Sequence, residues 1–342
     1  MFEFLFGRGA TPPDEAQVEK DIDRVLDDVG RATQSIRWDV LLSRRTGARL
    51  YQRPGLDGIE FFKLRPFQPG DPWRKVNPRQ TLKSPERKLI VRENRPEVMN
   101  TDWVLVDLEP THDFAGLRES KLWLGARMVA SAILSSEKMH DMVGFLAYAG
   151  DKLIAQVGPD TADNVLRLAL EVCLAPPHVE HQGEPTGLEA AVSMLPIGGQ
   201  NIVWITDGLN LTSTQEGVLA ELAGRHRVVA AFLQDWREQY LPEPPWWWKW
   251  PYRLQVHDLK THERKKLNCD AAYRRQYTED WRDHTKRLTD FCDRVGIACR
   301  VLQTEHEVTQ RNDALTSEQI AKAIEDQREN AIVSFLELLQ EP

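Results

Sequence analysis

The chain has 342 residues, 41% hydrophobic and 28% charged, a globular composition that excludes a disordered chain and leaves room for two domains. Its 44 basic and 52 acidic residues give a formal charge of −8; a net acidic surface repels phosphate backbones and argues against general nucleic-acid binding. The four cysteines (Cys173, Cys269, Cys292, Cys299) form no C-x-x-C pair, and no apolar run reaches the length of a signal peptide or a membrane span. The expectation is therefore a reduced, cytoplasmic chain without a transmembrane segment.

Residues 10–13 read as a loop ending in a Pro pair. From 14 to about 45, Val18, Ile22, Val25, Leu26, Val29, Ile36, Val40 and Leu41 recur at helical spacing, with Asp14 and Glu15 where acids favour a helix start. A Gly- and Pro-punctuated stretch follows over 47–85, with extended segments expected at 59–64 and 88–93. The rhythm changes at 103–106, a near-continuous apolar run that reads as a strand buried on both faces. The spacing then predicts a helix over 117–138, a hairpin of strands 142–148 and 153–157 about Ala149-Gly150-Asp151, and helices over 161–174 and 187–194. Next come a strand at 202–205, a helix near 214–225, a strand at 228–233, a helix over 271–295, a strand at 298–302 and a terminal helix over 317–339.

Strands alternating with helices imply a mostly parallel α/β sheet covered on both faces, with one antiparallel edge strand contributed by the hairpin. The expected organisation is an N-terminal helix plus a small β extension over 1–99, then an α/β domain over 100–342 with a Pro/Trp-rich insertion at about 235–268.

In such a sheet ligands sit beyond the carboxyl ends of the strands. One strand runs into Asp107-Leu108-Glu109-Pro110-Thr111, another into Thr206-Asp207-Gly208, and Pro185-Thr186-Gly187 opens a helix between them. This order resembles the von Willebrand factor A family, with its D-x-S-x-S after the first strand, a Thr at a later helix start and an Asp after the fourth strand. The resemblance implies a site for a divalent cation, magnesium as a rule, held by Asp107, Glu109, Thr111, Thr186 and Asp207 with one position open to a partner's carboxylate. Hard cations take oxygen ligands, so the residue types suit it. Glu109 departs from the pattern, standing where the family has its first Ser, and it adds charge and could fill the open position itself. Read without the resemblance, Asp107 and Asp207 are strand-end residues that cap turns and helices.

A second motif set lies upstream. Glu60-Phe61, Arg65-Pro66-Phe67-Gln68-Pro69-Gly70-Asp71, Arg74-Lys75-Val76-Asn77 and Leu89-Ile90-Val91-Arg92-Glu93 resemble the signature of the domain of unknown function 58 family. In that family this segment precedes a von Willebrand A-like domain. Asn77-Pro78 replaces its usual Asp-Trp. The signature residues Arg65, Gly70, Asp71, Arg74, Arg92 and Glu93 read either as an ion-pair network holding the β extension or as a ligand site, and the network is the plainer reading. Members of the family neighbour MoxR-type AAA+ ATPases in bacterial genomes. The resemblance thus implies an adaptor or substrate-presenting role beside such an ATPase in assembling or maturing a protein complex, and the lack of a recognisable catalytic set makes a non-enzymatic module the expectation.

Pro242-Glu243-Pro244-Pro245-Trp246-Trp247-Trp248-Lys249-Trp250-Pro251 can be neither helix nor central strand. Trp246, Trp247, Trp248 and Trp250 suit a protein hot spot or a fold-back cover on the domain, and peripheral membrane contact is disfavoured because few basic residues accompany them. An enzymatic alternative is a haloacid dehalogenase-type phosphatase, in which Asp107 is the nucleophile, Glu109 the acid/base and Thr206 the second-motif hydroxyl. No acidic pair is placed as that family requires. His178, His181, His257 and His262 lack a matching third ligand, and no G-x-x-x-x-G-K-[ST] loop is present, so no nucleotide is expected.

Overall fold

The computed structural model of the protein describes residues 15–34, 60–83, 88–95, 101–113, 120–139, 141–176, 186–197, 199–209, 211–241, 253–257, 264–304 and 317–339. The chain divides into two units, residues 1–36 with 101–341 and residues 37–100.

The larger unit is built on six strands: β3 (Thr101–Asp107), β4 (Met142–Ala149), β5 (Lys152–Asp160), β6 (Asn201–Thr206), β7 (Arg227–Gln234) and β10 (Ala298–Gln303). Their spatial order is β10-β7-β6-β3-β4-β5, all parallel except β5, which pairs antiparallel with β4 at the edge. Ranked by position in the sequence this is the doubly wound order 3-2-1-4-5-6. With the antiparallel strand at one edge, the unit is von Willebrand A-like, as its sequence predicts.

β3 shows why the sheet is continuous and apolar. Its burial is nearly complete, because helices cover both faces. Trp103 and Leu105 join a core with Leu146, Leu188, Trp204, Phe232, Leu288 and Phe291, beneath α5 (Gly187–Ser193), α6 (Ser213–Arg225) and α8 (Ala271–Val295). The other side carries α3 (Lys121–Lys138) and α4 (Ala162–Leu174). Trp103 lies directly across from Gly144, and a Cβ there would sit 2.4 Å from its ring. The glycine makes room for the indole.

α1 (Glu15–Gln34) packs on α3, α4 and α9 (Ser317–Leu338), burying Ile22, Val25, Val29 and Ala32. Its place in the sequence groups this helix with the β extension. It belongs to the α/β unit, because its apolar stripe and one buried ion pair are satisfied there. Arg127 of α3 is 1% exposed, and its Nε and Nη2 lie 2.9 and 2.8 Å from Asp28 of α1. Residues 35–45 of the expected helix lie outside the described residues.

In the smaller unit β1 (Glu60–Pro66) pairs antiparallel with β2 (Ile90–Arg95), joined through a 3₁₀ turn (Trp73–Lys75) and α2 (Pro78–Lys83). The insertion holds a hairpin that the sequence pattern does not announce: β8 (Arg253–His257) pairs antiparallel with β9 (Arg264–Asn268). The four insertion tryptophans (Trp246, Trp247, Trp248 and Trp250) lie outside the described residues. Among the described residues no helix is long and apolar enough to cross a membrane.

Candidate functional site

Strand order reverses between β3 and β6, so their carboxyl ends open the crevice in which sheets of this topology hold ligands. β3 delivers Asp107 there and β6 delivers Thr206 and Asp207. The two strands are bonded side by side, so the two carboxylates become neighbours. Gly208 takes the chain away from Asp207 at φ +70°, a backbone conformation that glycine adopts without strain, and a Cβ there would press on Leu288 and Phe232.

Each oxygen of Asp107 accepts a hydrogen bond, Oδ1 from the Glu109 N–H at 3.0 Å and Oδ2 from the Thr206 hydroxyl at 2.8 Å. Glu109 Oε1 accepts the Gly150 N–H of the β4–β5 turn at 2.9 Å. A 3₁₀ turn, Pro110–Asp113, then aims Thr111 and His112 at β6. The Thr111 hydroxyl donates to Asp207 Oδ2 at 2.6 Å. His112 Nε2 accepts the Asp207 N–H at 3.1 Å, which leaves its proton on Nδ1. Asp207 Oδ1 accepts from the Leu209 N–H at 3.1 Å.

One further residue closes the cluster. Lys121, the first residue of α3, is 0% exposed. Its Nζ donates to Asp207 Oδ2 at 2.9 Å and to Glu238 Oε1 at 2.6 Å. Glu238 belongs to the short helix α7 (Trp236–Gln239) that follows β7, and its other oxygen accepts the Asp235 N–H at 3.0 Å.

The electrostatics follow from this enclosure. Burial, then the charges of Asp207 and Glu109, push the Asp107 carboxyl well above the ordinary range. Burial alone would also raise Asp207, but the Lys121 ammonium together with the hydrogen bonds from the Thr111 hydroxyl and the Leu209 N–H outweighs it, and Asp207 is held below that range. Burial would lower Lys121, yet Asp207 and Glu238 raise it, so it stays an ammonium. Glu238 is lifted by burial to about 7, against the pull of Lys121. Burial and the nearby ammonium bring His112 down to about 4, so it is neutral at pH 7, and its 3.6 Å approach to Asp207 Oδ2 is no ion pair. Burial, then Asp107, raises the Tyr148 hydroxyl, which accepts the Trp204 Nε1–H at 2.9 Å beneath the site.

Of the five residues expected to hold a cation, the structure brings Asp107, Glu109, Thr111 and Asp207 together. Thr186 stands exposed at the start of α5, its hydroxyl making no capping bond, although the Gly187 N–H ties that helix start to Gly150. One donor atom each of Asp107, His112 and Asp207 lies within 4.8 Å of the others. Proximity alone suggests a metal, but the donor set does not fit one. Both oxygens of Asp107 and both of Asp207 already accept protein donors, the His112 lone pair faces a backbone N–H, and an ammonium sits on Asp207. A divalent ion would have to break these bonds and displace a like charge.

The sequence reading missed His112, Lys121 and Glu238. A signal existed for Lys121: it and Arg127 are charges within a helix that is otherwise apolar over most of its length, and buried charges need partners.

In the smaller unit Arg65 grips Asp71 through two parallel bonds of 2.7 and 2.8 Å, and Asp71 also accepts the Gln68 N–H at 2.8 Å. Arg65, then that N–H, lowers the Asp71 pKa. Gly70, at φ +104°, shapes the turn between them. Arg74 and Arg92 are exposed, and the side chain of Glu93 lies outside the described residues.

A family model described as "Protein of unknown function DUF58" matches residues 63–287. No curated protein matches the chain. Among solved structures, the conserved hypothetical protein BatB from Bacteroides thetaiotaomicron is 13% identical, with 58% of this chain and 98% of that one covered and a TM-score of 0.34. An aerotolerance-related membrane protein from Bacteroides fragilis is 16% identical, with 58% and 98% covered and a TM-score of 0.32. A von Willebrand factor type A protein from Catenulispora acidiphila is 14% identical, with 72% and 44% covered and a TM-score of 0.32.

Proposed function

The chain belongs to the DUF58 family, and from that footing we propose that it is a non-enzymatic interaction module whose α/β unit presents its strand-end loops to a protein partner. The observation that supports this reading is the state of Asp107. It is 7% exposed, both its oxygens are engaged, and burial with two neighbouring carboxylates keeps its carboxyl raised. A phosphatase nucleophile must be ionised and approachable, so the residue that would carry the enzymatic alternative is poorly set for it. The buried cluster instead ties the segments that directly follow β3, β6 and β7 to one another through Thr111, Asp207 and Glu238, and such preorganisation favours docking.

The partner most consistent with the family resemblance is a MoxR-type AAA+ ATPase, engaged in assembling or maturing a protein complex. Trp246, Trp247, Trp248 and Trp250 are the residues we assign to the contact, since aromatic anchors dominate interface energetics. The test is retention of the host's MoxR-type ATPase on the immobilised full chain, with ATP present. The expected outcome is stoichiometric capture by wild type and loss with all four tryptophans changed to Ala. Capture of no AAA+ protein overturns the partner assignment. Turnover of an aryl phosphate by the purified chain, lost in Asp107→Asn, overturns the non-enzymatic reading.

A further inference from the structure

We propose that Lys121 is the resident cation of the strand-end site, with Glu238 as the carboxylate that completes it, so that the domain works without a divalent metal. Three observations carry this. The ammonium lies on Asp207 Oδ2 at 2.9 Å, and that same oxygen takes the Thr111 hydroxyl at 2.6 Å. Two of the residues that a von Willebrand A-like site would offer to a metal, Thr111 and Asp207, thus meet at an oxygen already neutralised by the chain itself. Second, Lys121 opens α3, where the helix dipole disfavours a positive charge. At full burial it is held there by two carboxylates, at 2.9 and 2.6 Å. Third, Glu238 reaches the ammonium from outside the strand-end motif, 117 residues away in sequence. It occupies the role that a metal would leave to the acid of a partner. The site therefore supplies its own cation and its own acid, and it clasps the loop after β7 to the ends of β3 and β6.

This goes beyond the partner reading and stands apart from it: a metal-dependent wild type would sink the present inference and leave capture of an ATPase untouched. The experiment is thermal unfolding of the full chain in chelator, in magnesium and in manganese, for wild type, Lys121→Ala, and Lys121→Ala with Asp207→Asn. The wild-type midpoint is expected to be the same in all three conditions. Lys121→Ala is expected to unfold earlier in chelator and to recover saturably with manganese or magnesium, because removing the ammonium frees the oxygens it held, and binding to the folded state raises its stability by mass action. The added Asp207→Asn should abolish that recovery. A wild type that gains stability saturably with either ion overturns the proposal, and so does a folded Lys121→Ala protein that ignores both. If Lys121→Ala does not fold, manganese retention by wild type in equilibrium dialysis decides: none supports the resident ammonium, stoichiometric retention overturns it.

Discussion

Asp107 and Asp207 are the same residue type at equivalent strand ends, yet their carboxyls are driven in opposite directions, one by burial among acids and the other by an ammonium. His112 shows how such a site responds to pH. Its pKa falls from 6.5 to about 4 on folding, so the folded state binds fewer protons than the unfolded chain between these values. The stability it contributes is present above pH 6.5 and is lost as pH falls toward 4, by about 3 kcal/mol in full. Glu238, raised to about 7, has the opposite sign: its contribution is present below pH 4.5 and is lost as pH rises through 7. Chemical denaturation of wild type and His112→Gln across pH 4 to 7 separates the two. The wild-type advantage should shrink on acidification below 6.5, and a difference constant with pH would show that His112 is not the buried neutral group. Packing sets a second residue-scale outcome. Gly144→Ala places a Cβ 2.4 Å from the Trp103 ring and should cost about 1–3 kcal/mol, less in a Trp103→Leu background, as read by denaturation midpoints.

Among the elements, α1 joins the α/β unit through a pair that the sequence could not show, Asp28 with Arg127, 99 residues apart. Arg127 is also held 5.8 Å above the Trp123 ring. Removing the acid alone strands a buried guanidinium, so Asp28→Ala should destabilise by about 3–5 kcal/mol, while Asp28→Leu with Arg127→Met should recover most of that. Thermal unfolding of the three proteins checks this, and an Asp28→Ala protein as stable as wild type would remove the pair from the account. Helical spacing made α1 visible because its stripe, Ile22, Val25 and Val29, is local. Where that stripe is buried depends on α3, α4 and α9, which lie far along the chain. The β8–β9 hairpin failed to register for a different reason. β9 reads Arg-Lys-Lys-Leu-Asn and is largely exposed, so it carries no alternation of apolar and polar residues to detect.

At the scale of the whole molecule, the division into residues 1–36 with 101–341 and residues 37–100 makes a prediction of its own. Replacing 37–100 with a flexible linker long enough to keep α1 docked should leave the α/β unit folded, with a single cooperative transition by circular dichroism. Loss of that transition would mean the larger unit depends on the smaller one. The alternation of apolar strands and amphipathic helices was enough to specify a doubly wound sheet with one antiparallel edge. From it followed the crevice beyond β3 and β6 where Asp107, Glu109, Thr111 and Asp207 meet. That much was readable because hydrophobic periodicity and strand-end turns are local properties of a chain. Which partners Lys121, Glu238 and His112 meet is not readable, since they reach Asp207 or one another across 86, 117 and 95 residues. Which charges are buried together depends on which strands become neighbours, and only folding makes that selection.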